Sequence, residues 1–449
     1  MAKILFVLIV ACGLQMSAFA QENSPYSRYG LGDLTPNSNV FSRSMGGIAA
    51  GIGTSSQQIE IQSINFTNPA SLASNYFTIL DVGTEIDYRI LKNKVPAKKF
   101  TSANTYVSYL QLAFPLTTPK MAKKKMAWAM SFGIKPVSKI NYRIQKNERT
   151  GIDSLNTLYE GNGGANLAFI GTGLKIKNLS IGINAGYMFG SKDYSTKLTF
   201  INDSTYYYLS NSENKTTFNG LFLSGGLQYE LDLDKDLKTT EIHRILRFGV
   251  YGNVQQNLKA NTDIIRETIF YDPNGSYYQL DSVYEENDVK GKIKFPAKVG
   301  VGFIYHNLNW MYGADFEYGN WASYRYYGQT DQVQNNWTIR AGAQYHPRKE
   351  NTSASKYFRH VKYRAGFYYG TDYITDVNKK RPEYGFTIGT GMPLTTLKQR
   401  MNYGGDVVLN TALEFGSRGN KQTNLRENLV RFSIGVSMNA RWFQKPKYN

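Results

Sequence analysis

Residues 430–443 read VRFSIGVSMNARWF, and their alternation limits what the whole chain can become. Phe432, Ile434, Val436, Met438, Ala440 and Trp442 fall on one face of an extended strand. Arg431, Ser433, Gly435, Ser437, Asn439 and Arg441 fall on the other, because successive strand side chains point to opposite faces. The segment WTIRAGAQYH repeats the pattern, with Trp337, Ile339, Ala341, Ala343 and Tyr345 opposite Thr338, Arg340, Gly342, Gln344 and His346. PAKVGVGFIYH and WMYGADFEYG do the same and set Lys298, Asp315 and Glu317 on their polar faces. A soluble core could not bury those charges unpaired, whereas a water-filled lumen can hold them. The spacing predicts an all-β chain, a transmembrane antiparallel β-barrel.

Composition agrees. The chain has 449 residues, long for one soluble core but ordinary for one large closed sheet, and its 34 Tyr, 24 Phe and 41 Gly favour strands. Mean hydropathy is −0.42. Beyond the N-terminus no apolar run reaches the length of a membrane helix. Segments of roughly ten residues recur from 76–90 to 428–442, about fourteen in all, an even number that leaves both barrel ends on the periplasmic side. Polar stretches at 145–163 and 261–295 read as long links after upward strands. KN at 177–178 and HNLN at 306–309 read as tight links after downward ones.

The first twenty residues carry a signal-peptide pattern: Lys3, the apolar run ILFVLIVACGL, and the small pair Ala18 and Ala20, so residues 1–20 should be removed and Gln21 should begin the mature chain. IVAC around Cys12 offers lipobox processing as the alternative. Cys12 is the one cysteine, and its loss with the leader would exclude disulfides and thiolate metal sites. Formal charge is +18. A secreted basic chain meets outer-membrane lipid and lipopolysaccharide phosphates before nucleic acid, and positive runs such as KMAKKK at 120–125 read as solvated or headgroup-facing rims.

Residues 21–75, with GLGD and SMGGIAAGIGT, are too Gly-rich for an independent fold. They read as a hatch folded into the barrel or as a disordered tail. The barrel then occupies 76–443, and 444–449 form a short periplasmic tail. Near the end of the first of these, Asn68 suits a helix N-cap and Pro69 the first helical position, so that Ala70 to Ala73 complete one turn; a plain surface turn is the alternative. In the third strand, MAWAMSFGIKPVSKINYRI, Pro136 cannot donate a ladder hydrogen bond, and Gly133 would ease a kink. The pair marks either a side opening in the wall or a simple bulge.

The order of GLG, RSMGG, NPASLA, NLSIGINAGYMFGS, FPAKVGVGF and MYGADFEYGNWASY along the chain resembles the FadL/TodX family of outer-membrane channels for hydrophobic compounds. The resemblance implies a fourteen-stranded barrel, an N-terminal hatch whose Asn-Pro-Ala element corresponds to Asn68, Pro69 and Ala70, and lateral release of ligand at the third strand. The expected function is passive uptake of small, fatty-acid-like hydrophobic molecules in the outer membrane of a Gram-negative-type envelope. The alternative is a non-transporting accessory barrel that joins other subunits of an outer-membrane secretion or assembly complex.

Signals for an enzyme are weak. The four histidines, His243, His306, His346 and His360, fall at proposed periplasmic turns without metal-ligand spacing. GIAAGIGTSS lacks the Lys of a phosphate loop, and DLDKDLKTTE misses the order of a calcium loop. No cofactor, metal or catalytic residue is expected.

Overall fold

The computed structural model describes residues 24–53, 63–93, 98–150, 153–201, 207–235, 242–272, 277–307, 309–347, 357–375, 380–395, 405–419, 423 and 425–440. The expected leader, its cleavage point at Gln21, Cys12 and the 444–449 tail lie outside them.

Strands one to six are Thr78–Asn93, Lys98–Pro115, Met126–Thr150, Asp153–Ile176, Leu179–Ile201 and Leu209–Lys235. Strand seven runs in two stretches, Ile242–Asn253 and Gln256–Tyr271, and strand eight in two more, Tyr277–Phe295 and Lys298–Asn307. Strands nine to fourteen are Trp310–Gly319, Asn336–Tyr345, Lys362–Thr371, Pro382–Pro393, Asp406–Arg418 and Leu425–Ala440. Each pairs with the next in antiparallel register. Strand fourteen pairs with strand one from Leu425↔Asn93 to Ala440↔Thr78, which closes a fourteen-stranded barrel. Closure pairs the first strand with the last, so neither is left as an edge of unpaired backbone groups.

The polar stretches at 145–163 and 261–295 are strands rather than loops. Strand three runs to Thr150 and strand four starts at Asp153, while Gln256–Tyr271 pairs with the upper part of strand six and with Tyr277–Phe295. Polarity there reports water on both faces, and the ladder satisfies the backbone whatever the side chains are. Strand three has 25 residues, strand four 24, strand five 23 and strand six 27. Since about ten residues cross a bilayer, roughly 80 Å of strand three exceeds what the membrane needs by more than half. Strands nine, ten and eleven have only ten residues each, so one side of the barrel carries a tall sheet and the other does not.

Strand fourteen shows the expected faces: Phe432 and Met438 are 38% and 46% exposed, while Arg431, Ser433 and Ser437 are buried. On strand nine Phe316 points out and Asp315 in. At the end bearing both barrel termini, Trp310 stacks on Tyr312 and packs on Tyr345 with ring centroids 5.4 and 4.5 Å apart, as in an interfacial aromatic girdle. The inward charges differ from expectation in one respect. They are paired with one another: Glu317 meets Lys298 at 3.3 Å and Arg340 at 3.2 Å. Asp315 is covered by chain from the N-terminal stretch.

The exposed face of strand fourteen generates a test. Val436→Arg should cost about 2–4 kcal/mol if Val436 lies near the bilayer midplane. Urea titration of folding into lipid vesicles reads the loss, and an unchanged midpoint would mean that Val436 does not face lipid.

Candidate functional site

The N-terminal stretch is held among the inward-facing side chains. Asp315 Oδ2 accepts from the backbone N–H groups of Ala49 and Ala50, at 2.5 and 2.8 Å. Gln228 Nε2 donates to the carbonyls of Ala50 and Ile52, and Arg247 donates to those of Gly51 and Gly53. Asp81 accepts from Ser63 Oγ at 2.7 Å and the Ile64 N–H at 3.2 Å. A short helix, Val40–Arg43, is capped by Asn39, whose Oδ1 accepts from the Ser42 N–H, and it delivers Arg43 to the buried carboxylate of Glu85. Each contact satisfies a backbone or charged group that would otherwise be orphaned in a dry interior.

Asn68 caps a 3₁₀ helix, Pro69–Ser74, with its side chain accepting from the Ala70 N–H and Pro69 at the start. Neither the 3₁₀ form nor its burial has a local sequence signal: Asn68 and Ala70 are wholly inaccessible, so this is not a surface turn. Asn68 Nδ2 also donates to the Ala50 carbonyl at 2.7 Å and to Leu227 on strand six at 3.4 Å. The helix lies directly on the wall because facing positions on strands four, five and six, Gly173, Gly182 and Gly226, are glycines. A Cβ at Gly182 would strike Pro69, and one at Gly226 would strike Asn68. Those glycines serve close approach rather than any unusual backbone angle.

Gly133 and Pro136 stand elsewhere, at a seam. Strands two and three pair only from Pro115↔Ala129 to Leu110↔Ile134. Above that point strand two pairs with strand one and strand three with strand four. Continued upward, the same register would set Ser108 opposite Pro136. Both positions sit at bulges: strand two shifts register around Ser108 and strand three between Pro136 and Ser138. Pro136 has no N–H to offer strand two, and both strands bend where pairing stops. Gly133 remains in the ladder opposite Gln111, and a Cβ there would meet the Leu110 carbonyl at 2.8 Å. Its role is tight packing below the seam.

Part of the N-terminal stretch covers the seam. Asp33 and Leu34 pair antiparallel with Lys139 and Ser138 on the free edge of strand three. The Thr35 N–H donates to the Val137 carbonyl at 3.0 Å and Thr35 Oγ1 to that of Pro136 at 2.8 Å. Asp33 is clasped by Arg418 and Arg89, each at 2.5 Å. Nothing in the sequence flagged Asp33, Ser108 or these arginines; the one available hint was the acid of GLGD beside a glycine-rich run.

Next to the seam lies a cavity of about 250 Å³ that reaches Leu34, Thr35, Lys135, Pro136 and Val137. Phe66, Leu167, Phe169, Met188, Phe222 and Trp321 form its apolar wall, and Arg43, Glu317, Arg340, Arg418 and Arg431 part of its charged wall. Phe66, two residues before Asn68, links the turn to the seam: its ring packs 5.6 Å from Tyr109 and 6.3 Å from Phe169, which pairs with Gly133, and Lys135 Nζ lies 4.2 Å over it. Among the described residues no three His, Cys, Asp or Glu side chains gather as metal ligands.

A family model named BamG matches residues 1–449. The chain belongs to the BamG family. No curated protein matches it in sequence. Among solved structures it is similar to a Pseudomonas aeruginosa FadL homologue, at 12% identity and a TM-score of 0.53, covering 92% of this chain and 100% of that one. It is similar also to the P. putida toluene transporter TodX, at 14% identity and 0.52, covering 91% and 100%. The CymD monoaromatic hydrocarbon channel matches at 13% and 0.50, covering 92% and 99%. At such identities the likeness is one of fold, and it bears out the FadL/TodX resemblance at that level.

The packing of the turn predicts separable effects. Asn68→Ala should cost about 1 kcal/mol of local stability through the lost cap. Gly226→Val should displace the Pro69–Ser74 helix outright. Both barrels should keep their heat-modifiable migration while residues 24–75 become protease-sensitive, more so in Gly226→Val; protection equal to the parent protein would show that this contact does not hold the segment.

Proposed function

We propose that the protein is a plugged channel of a Gram-negative-type outer membrane that takes up small hydrophobic molecules without an energy source and releases them sideways into the lipid. The observation that carries this reading is the seam: the wall loses pairing at Ser108 and Pro136 beside a cavity with an aromatic wall. In this reading residues 21–75 form the hatch, Asn68, Pro69 and Ala70 anchor it, and Asp33 to Thr35 close the lateral exit. The size of the cavity bears on the cargo. An enclosed space of about 150 Å³ accepts a benzene ring. A cavity of about 250 Å³ therefore suits a single-ring compound better than an extended fatty acid. TodX, a toluene transporter, and CymD, a monoaromatic hydrocarbon channel, agree with that scale.

The tall sheet favours a second reading, an accessory barrel of an outer-membrane secretion or assembly complex. Its outermost strand, Tyr277–Phe295, carries exposed Tyr278, Leu280, Val283 and Tyr284, and Val283 is 73% exposed. Beyond its pairing with strand seven this strand pairs with Arg325–Tyr326 at Ile293 and Lys294 and takes hydrogen bonds from Tyr327 at Val289 and Lys292, all in its lower half. Exposed apolar side chains on an open sheet edge are the chemistry of a protein contact.

One experiment separates the two. Pro136→Val restores a ladder donor at the seam and leaves Gly133, whose packing tolerates no Cβ, untouched. Cells making it should take up labelled toluene and a labelled long-chain fatty acid more slowly than cells making the parent, with co-purifying proteins unchanged. Equal uptake, together with partners lost on Leu280→Asp and Val283→Asp, would replace the channel with the accessory role.

A further inference from the structure

At the end that bears both barrel termini, the link between strands two and three and the turn between strands four and five lie side by side. Pro119–Lys123 forms one short helical turn, and Lys120, Lys123, Lys124 and Lys125 are all exposed on it or just after it. Lys177 occupies the neighbouring turn, and its N–H donates to the Lys125 carbonyl at 2.9 Å, so the two turns are fixed against each other. Lys175 is spent on Glu230 at 3.2 Å and belongs to the interior.

Two features make this more than a solvated rim. Lys125 and Lys177 have φ of 56° and 55°, left-handed conformations that suit Gly or Asn and strain a lysine. The chain thus holds two cations at turn positions where backbone geometry alone would select against them. Directly beyond them on the outer face comes an apolar strip: Trp128, Leu174, Ile176 and Leu179 are all exposed outward, with Trp128 held by its Nε1–H on Thr172 Oγ1 at 2.9 Å. A fixed cluster of cations that ends on a lipid-facing apolar strip matches an amphiphile with an anionic phosphate head and acyl tails.

We infer that this corner of the barrel is a binding site for an anionic phospholipid of the periplasmic leaflet, with Lys123, Lys124, Lys125 and Lys177 on the phosphodiester and Trp128, Ile176 and Leu179 along the acyl chains. The site is on the outer wall at strands two to five. It owes nothing to the cavity or the seam.

The test uses the full chain in nanodiscs of phosphatidylcholine mixed with phosphatidylglycerol, with bound lipid counted by native mass spectrometry after transfer to detergent. The parent protein should retain phosphatidylglycerol over phosphatidylcholine. The variant Lys123→Gln, Lys124→Gln, Lys125→Asn, Lys177→Asn should lose that preference by about tenfold or more, since each surface lysine adds to the attraction toward an anionic leaflet. Asn at 125 and 177 keeps the left-handed turns, and heat-modifiable migration verifies the barrel. Lys98→Gln with Lys99→Gln, at the opposite end, should leave retention unchanged. Inorganic phosphate should not compete. Equal retention of the two lipids, an unaffected four-site variant, an effect of the Lys98 and Lys99 pair as large as that of the four, or displacement by inorganic phosphate would each overturn the assignment.

Discussion

Arg431 is the charge on which the interior depends. It is buried at the level of the N-terminal helix and meets Glu85 at 2.7 Å, Glu414 at 3.2 Å and Asp87 at 3.4 Å, while Arg43 of the N-terminal stretch takes the other oxygen of Glu85. Ionised groups removed from water lose several kcal/mol each, and only close partners with further hydrogen bonds return it. Strands one, thirteen and fourteen therefore cannot present these residues to a dry lumen one at a time. They are tolerable as a set, and Arg43 completes the set. The lumen and the segment inside it are one electrostatic unit, so the same side chains that a porin would hold in channel water here hold a polypeptide.

That unit explains why the wall can afford a seam. Where strands two and three stop pairing, a backbone edge is exposed at membrane depth, and the cost of leaving it bare is high. Asp33 to Thr35 supply the missing hydrogen bonds in cis. The bulges at Ser108 and after Pro136 bend both strands toward the segment that seals them, and the tall sheet of strands three to eight begins at this edge. Seam, seal and tall sheet are thus parts of one local solution to a broken ladder.

Much of this was legible in the sequence for a physical reason: in a barrel every strand must solve the same two-sided problem, so alternation repeats and can be counted. The Asn68 cap was legible too, because Asn followed by Pro at a helix start is a local signal. What lies above the membrane was misread as loop, since without lipid on one face the alternation fades although pairing persists. The charged partners of Asp33, namely Arg89 and Arg418, were invisible because they sit on strands one and thirteen, and no local pattern ties residues so far apart in sequence. Gly133 and Pro136 were found by composition. Their placement, one packed in the ladder and one at its end, needed the register.

The charges inside the barrel are not equally hard to part. Lifting Asp33 away leaves Arg89 beside Asp87 at 2.7 Å and Arg418 beside Glu383 at 2.9 Å, so each arginine keeps an acid. Taking Arg43 out instead leaves Glu85 to share Arg431 with two other carboxylates. The strip that covers the seam is therefore held by contacts whose loss leaves each arginine an acid, whereas loss of the helix behind it leaves three carboxylates around Arg431. A lateral route of the kind proposed asks only the first of these to move, and the Asn68 turn, held through Gly182, Gly226 and Leu227 on strands five and six, can stay in place while it does.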